Sequence, residues 1–248
     1  MQYEFDHLVI MARDRINLVA KQFSDLGFHL SAKSTHNLGS SNQLIVLDSA
    51  YLEILGWEAG TLPQRQEIAN QALGLDALVF RTTNAEECFK VLQEAGFAPN
   101  IPQDLSRPAK VGDGIKQAFF KTVRFSQQPI AGLRIYFCEH LTPDFVWVRV
   151  DQQHSNSMNH LQSITLESAN PLATTRTLMK LLQIEGGDTL SRNLSEEGEA
   201  YQLNLANCEL KIVFNQAISL AQIASCSLVQ QGLPAELQIS QAMLIASP

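Results

Sequence analysis

Two ionisable residues interrupt apolar, strand-like runs early in the chain: His7 within Phe5-Asp6-His7-Leu8-Val9-Ile10, and Glu53 within Tyr51-Leu52-Glu53-Ile54-Leu55. An imidazole or a carboxylate taken out of water is costly unless it is hydrogen-bonded, paired or bound to a metal, so two in matching settings are expected to meet. Such a pair can hold a cation, pass a proton or grip a polar ligand. In a strand, Tyr51, Glu53 and Leu55 share one face. The structural alternatives are a hydrogen-bonded core histidine and a carboxylate turned to solvent.

Other residues join this pair as candidates. The segment His36-Asn37-Leu38-Gly39-Ser40-Ser41-Asn42 offers hydrogen-bonding groups to a polar ligand, or is an ordinary turn. Glu139 and His140 are neighbours at the end of a strand-like run, so they point to opposite faces and one of them lines any cavity there. Glu139 is favoured, its alternative being an ion pair with Arg134. Trp57, Phe119, Phe120, Tyr136, Phe137 and Trp147 supply pocket walls or core. His154, Asn156 and His160 sit in a polar, turn-forming stretch that reads as a linker.

The elements that must position these groups read as a repeat. Phe5 to Met11 is a strand, Asp14 caps a helix with apolar positions Ile16, Val19, Ala20, Phe23 and Leu26, and Gly27 ends it. Strands near Phe28 to Ala32, Gln43 to Leu47 and Tyr51 to Trp57 complete a βαβββ order. The order recurs with a strand from Asp76 to Arg81, a cap at Asn84, a helix from Ala85 to Ala95 closed by Gly96, and extended stretches at Gln117 to Phe125 and Leu133 to Cys138. A third copy is suggested by Leu161 to Leu166, a helix from Pro171 to Leu182, and strands at Ala200 to Leu205 and Glu209 to Phe214. Asn170-Pro171 reads as a helix start, and Gly186-Gly187-Asp188 as a turn. After Gln216 only a truncated unit fits, with a strand at Cys226 to Gln230. The expected fold is α+β, with repeated βαβββ modules.

Composition sets the class. The 248 residues are 45% hydrophobic with a net charge of −7, and no basic run marks a nucleic-acid or anionic-membrane surface. The acidic start lacks a signal-peptide pattern and no stretch approaches the roughly 20 apolar residues of a membrane span, so a cytoplasmic protein is the expectation. Cys88, Cys138, Cys208 and Cys226 lack Cys-x-x-Cys spacing and read as core residues.

The first-module segments, together with Glu139-His140-Leu141-Thr142-Pro143-Asp144-Phe145-Val146-Trp147 and His154-Ser155-Asn156, resemble the glyoxalase-like branch of the vicinal oxygen chelate superfamily. The resemblance implies curved mixed sheets around a cupped cavity with helices packed outside. Residues 1–150 would form a domain of two modules, about 1–58 and 75–147, and 151–248 a third module plus the truncated unit. It further implies a divalent ion such as Mn, Fe, Ni or Zn, held by His7, Glu53 and a contribution from Glu139 or His140. Ala77 stands where a second-module imidazole would be, and Gln162 and Glu209 align with His7 and Glu53 in the third. His36, Asn37, Asn42, Trp57 and Trp147 would contact the substrate, with Glu53 or Glu139 as a base of raised proton affinity. The implied function is a metal-dependent isomerase, lyase or dioxygenase acting on a small oxygen-chelating compound; the alternative is a metal-free sequestration protein of the bleomycin-resistance type. Neither reading calls for a nucleic acid or a membrane. Open sheets of this kind often join across a two-fold axis, which makes a homodimer one expectation, although extra modules offer those edges an internal partner.

Overall fold

A computed structural model of the chain describes residues 4–185, 190–195, 198–231 and 235–245. The first module comprises β1 (Glu4–Arg13), α1 (Ile16–Asp25), β2 (Ser34–Thr35), β3 (Ser41–Val46) and β4 (Tyr51–Gly56). A short helix, α2 (Gln66–Ala69), leads to β5 (Gly74–Arg81), α3 (Ala85–Glu94), β6 (Gln103–Val111), β7 (Gly114–Val123) and β8 (Arg134–His140). The same order returns in β9 (His160–Ser168), α4 (Pro171–Leu181), β10 (Leu190–Ser195), β11 (Gly198–Asn204) and β12 (Glu209–Phe214). The chain closes with β13 (Gln222–Val229), β14 (Glu236–Ser240) and α5 (Gln241–Ile245). The architecture is α+β with two curved mixed sheets, of order β2-β3-β4-β1-β5-β8-β7-β6 and β10-β11-β12-β9-β13-β14.

Helix ends follow the sequence signals. In α1, Phe28 N–H reaches the Phe23 carbonyl at 3.1 Å across Gly27 at φ +87°; in α3, Phe97 N–H reaches Leu92 at 3.0 Å across Gly96 at φ +81°. This double-bonded exit needs a left-handed residue after the cap, which glycine adopts without steric cost. Gln183, at φ +53°, fills the same place after α4. Asn84 and Asn170 cap α3 and α4 through their side chains, each accepting from the third residue onward at 3.0 Å. Asp14 does not cap α1: Arg15 holds that position and no side chain caps it. The Gly186-Gly187-Asp188 turn lies outside the described residues.

Two strand expectations need correction. No strand forms over Phe28 to Ala32, where His29 N–H goes to the His154 ring and Ser31 N–H to the Leu44 carbonyl, so the second strand shrinks to β2. Conversely β6, which was not expected, runs through Pro108 because it is an edge strand, where a missing N–H leaves no ladder bond unmade.

Alternation along the strands separates two cores. Phe5, Leu8 and Ile10 of β1 face α1 and α3 and join Ile164, Leu166 and Leu178 in one core, so both sheets bury their helix-bearing faces together. Val9, Met11, Leu44, Leu55, Ala77 and Val79 line the opposite, concave face of the first sheet. That sheet nearly closes on itself: Asn37 N–H donates to the Ser106 carbonyl at 2.9 Å, Ser106 N–H returns to Asn37 Oδ1 at 3.0 Å, and Ser34 Oγ donates to the Pro108 carbonyl at 2.5 Å. Asn37 is therefore a clasp between the β2 and β6 edges.

Candidate functional site

His7 and Glu53 meet inside the concave face of the first sheet, with His7 Nε2 3.6 Å from Glu53 Oε2 and both side chains buried. The parallel pairing of β1 with β4 sets Val9 opposite Glu53 and His7 opposite Tyr51, whose ring stacks on the imidazole at a centroid distance of 4.4 Å. Asn42 Nδ2 donates to Glu53 Oε1 at 2.7 Å, and His36 Nε2 approaches the same oxygen at 3.8 Å. The loop ending in Asn42 thus supplies two of its residues, His36 and Asn42. Leu105, Phe120, Tyr136 and Cys138 help close the chamber, which leaves about 20 Å³ of free space. A void that size holds little more than one water.

A residue not anticipated as functional orients His7. In the β1–β5 ladder Phe5 pairs with Phe80 and His7 with Val79, leaving Asp6 as a bulge. The extra residue breaks the two-residue alternation and lets Asp6 serve the His7 side of the sheet. Asp6 is fully buried: Oδ2 accepts from His7 Nδ1 at 2.7 Å and His140 Nε2 at 2.8 Å, while Oδ1 accepts from Arg81 Nε at 2.9 Å. Burial alone would raise its proton affinity, but His140 and His7 outweigh burial and hold the carboxyl well below its usual range. An ionised carboxylate only accepts, so His7 Nδ1 donates to it, and Nε2 lies 3.2 Å from the Tyr136 hydroxyl.

The bulge is a feature of the repeat. In β5 it falls on Asp76, because Val9 pairs with Ala77 and Ile10 with Leu75. Ala77 thus stands in the place of His7, and the β5–β8 register puts Tyr136 opposite Val79, in the place of Glu53. The second module contributes a tyrosine to the site, not Glu139. Glu139 faces the helix side, where its Oε2 accepts from Ala85 N–H at 2.8 Å at the start of α3, and His140 takes the concave side. Adjacent strand residues diverge as expected, but the favoured one was the wrong member of the pair. In β9 the bulge is Gln162, since Ser227 pairs with Ser163 and Leu228 with Leu161. Ser163 then takes the place of His7, and Lys211, opposite Thr165, that of Glu53. Gln162 is one residue, the bulge, short of the His7 place, and Glu209 is two residues short of the Glu53 place.

The two tryptophans stand behind the chamber. Trp147 packs on His140 at 4.9 Å and under Arg81 at 4.6 Å, and Trp57 lies under Arg13 at 5.3 Å. His154 and His160 tie segments together through the Val46 carbonyl and Asp48. Asn156 binds the Leu26 carbonyl.

Three arginines give the chamber its electrostatic character. Arg65, Arg107 and Arg124 line it beside the single carboxylate of Glu53. Arg65 and Arg124 share Glu67, at 2.8 and 3.1 Å. Burial, with repulsion from Arg107, Arg65 and Arg124, holds His36 down to about 4 despite the attraction of Glu53. Burial also works to raise Glu53, yet His7, His36, Asn42 and Arg107 together win and lower it. Glu53 is an ionised group of weakened basicity, contrary to the raised proton affinity expected. The arginines were missed because Arg107 lies on the unexpected strand β6 and Arg65 in an unread connection.

Among the described residues, Asp6, Cys138 and His140 bring one donor atom each within 4.8 Å of one another. Among those residues, no helix is long and apolar enough to cross a membrane.

Residues 5–182 match a family described as Glyoxalase-like domain. No curated protein matches the chain in sequence. Its structure is similar to that of a hypothetical protein from Staphylococcus aureus, at 13% identity and a TM-score of 0.67, over 95% of this chain and 98% of that one. It is also similar to a mutant of 4-hydroxymandelate synthase from Streptomyces coelicolor, at 13% identity and a TM-score of 0.50, over 86% of this chain and 63% of that one. A xylose isomerase-like TIM barrel/4-hydroxyphenylpyruvate dioxygenase fusion protein matches at 13% identity and a TM-score of 0.55, over 92% of this chain and 37% of that one. At such identities the likeness is one of fold.

Proposed function

Since the chain belongs to the glyoxalase-like domain family, within the vicinal oxygen chelate superfamily, we propose that the chamber of its first sheet is a small-molecule site and that it transfers protons without a metal. The carrying observation is the contact between Asp6 Oδ2 and His7 Nδ1 at 2.7 Å, which fixes the ring with Nε2 facing a chamber lined by guanidinium groups.

A divalent ion is common in this superfamily, and two sets of side chains bring donor atoms together. Asp6, Cys138 and His140 do not fit. Asp6 already takes three donors, and the Cys138 thiol, which must ionise to ligate well, is pushed well up by burial and then by Asp6 and Glu53. His7, His36 and Glu53 do not fit either, because Arg65, Arg107 and Arg124 line the same chamber and repel a dication that one carboxylate would have to offset.

The same field suits the reaction of a carbonyl compound bearing an acidic C–H. His7 Nε2 takes the proton, Glu53 at 3.6 Å steadies the imidazolium that forms, and the arginines face the negative charge left on substrate oxygen. Tyr136 hydroxyl, 3.2 Å from Nε2, marks where a substrate C–H must displace it. Isomerisation and epimerisation both begin with this step.

The test is deuterium exchange at the α-carbon of 2-oxo acids and α-hydroxyketones in D2O, followed by NMR on untagged, chelator-treated protein. Exchange should persist after chelation and fall at least about a hundredfold in His7→Ala. Exchange lost on chelation and restored by Mn, Fe, Ni or Zn, or near-stoichiometric metal in the purified protein, rejects the metal-free reading.

A further inference from the structure

Arg107 differs from the other two arginines of the chamber. It is 4% exposed, yet its one hydrogen bond among the described residues is from Nη1 to the neighbouring Pro108 carbonyl at 3.2 Å. Among the described residues no carboxylate lies within ion-pair distance of it. Its guanidinium packs over the Phe120 ring at 5.8 Å. Its other guanidinium nitrogens are not among the fully buried unpartnered atoms, so they open onto the cavities that Arg107 lines, an unfilled site for a planar anion.

Arg107 and Leu44 also form the wall between the inner chamber and an outer groove of about 390 Å³. The groove is lined on one side by Leu30 and Ala32 and on the other by Phe145, Val146, Val148 and Val150. Its polar members are mostly engaged or peripheral: Asp151 pairs with His29 at 3.2 Å, and Lys110 lies at the exposed rim. A mostly apolar trough that ends on an unpaired buried guanidinium is complementary to a molecule with an apolar body and one planar negative end.

Resting on the small-molecule reading of the chamber, we propose that the ligand is an amphipathic monocarboxylate: its apolar body lies in the groove, and Arg107 binds its carboxylate at the wall. The 20 Å³ on the inner side has room for little beyond the carboxylate itself, so that end leads and the body stays in the groove. Arg107 is then the residue that selects the substrate, and His7 the one that acts on it.

The test uses octanoate and phenylacetate against their neutral twins, octanamide and phenylacetamide, titrated calorimetrically into the full chain. Each carboxylate should bind at least about tenfold tighter than its amide. Arg107→Gln should erase that preference, and Arg107→Lys should restore part of it. Val150→Ser, at a groove position that is 58% exposed and safe for folding, should weaken octanoate and octanamide by a similar, about threefold factor. Equal affinity of acid and amide for the unaltered protein, a preference that survives Arg107→Gln, or no binding by any of the four compounds overturns the proposal. The two readings fail separately. His7→Ala should abolish exchange while leaving octanoate affinity within about twofold; octanoate binding that depends on Arg107, with exchange indifferent to His7, sinks the proton-transfer reading alone.

Discussion

The two sheets are built on one plan and treat its key positions differently. In both, the first strand of a parallel pair, β1 with β4 and β9 with β12, bulges in its antiparallel ladder with β5 or β13, which sets three corresponding positions. The first sheet fills those places with Asp6, His7 and Glu53, all buried; the second fills them with Gln162, Ser163 and Lys211, whose ammonium is partly exposed 3.5 Å from Glu209. The difference lies in what covers the face. β6 curls over to β2 in the first sheet and brings Arg107 with it, whereas in the second Ser163 is buried but uncharged, and Gln162 and Lys211 reach solvent. A repeat therefore hands down positions, and closure decides which of them can carry a charge out of water.

The sharpest way to break this comparison is at the bulge. Asp6→Ala leaves Arg81, His7 and His140 without their shared acceptor, and denaturant unfolding should show a loss of about 3 to 5 kcal/mol. Gln162→Ala, at the matching place, should cost less than about 1 kcal/mol. Comparable losses at the two sites would mean that burial is not what separates the sheets.

Next in size is the carboxylate position. Glu53→Ala strips buried Asn42 Nδ2 of its acceptor and His7 of the carboxylate facing it and should cost about 3 kcal/mol, whereas Lys211→Ala should stay within about 0.5 kcal/mol.

Acid titration separates the sheets without mutation. His36 is held down to about 4 when folded against 6.5 when unfolded, chiefly by burial. Between those pH values the unfolded chain binds a proton that the folded chain refuses, so this group's contribution is intact above 6.5 and falls as pH drops toward 4. The integrated effect is about 3 kcal/mol, and His36→Gln should remove it from the pH dependence of urea unfolding. An unchanged acid slope in that variant would show that His36 is not the buried neutral imidazole described here.

The smallest expected effect concerns the residue that left the site. Glu139→Ala removes the acceptor for Ala85 N–H and should lower stability by about 1 kcal/mol while leaving α-carbon exchange unaltered. Loss of exchange in this variant would return Glu139 to the chemistry.

Much of the architecture was legible in the residues themselves. The βαβββ order, the glycine exits of α1 and α3 and the asparagine caps of α3 and α4 are local matters, settled by backbone freedom and by hydrogen bonds a few residues long. The meeting of His7 with Glu53 was readable too, because alternation puts Glu53 on the face opposite the helices and a buried imidazole needs a partner. Asp6 was visible as a third ionisable group in the same run, but strict alternation assigns it to the other face. Only the pairing of β1 with β5 creates the bulge that turns it toward His7, and pairing is a relation between segments some 70 residues apart. The choice of His140 over Glu139, the replacement of Glu53 by Tyr136 in the second module and the gathering of Arg65, Arg107 and Arg124 have the same origin. Register and closure bring these groups together, and the energy of a charged or hydrogen-bonding group depends on what the rest of the chain sets beside it.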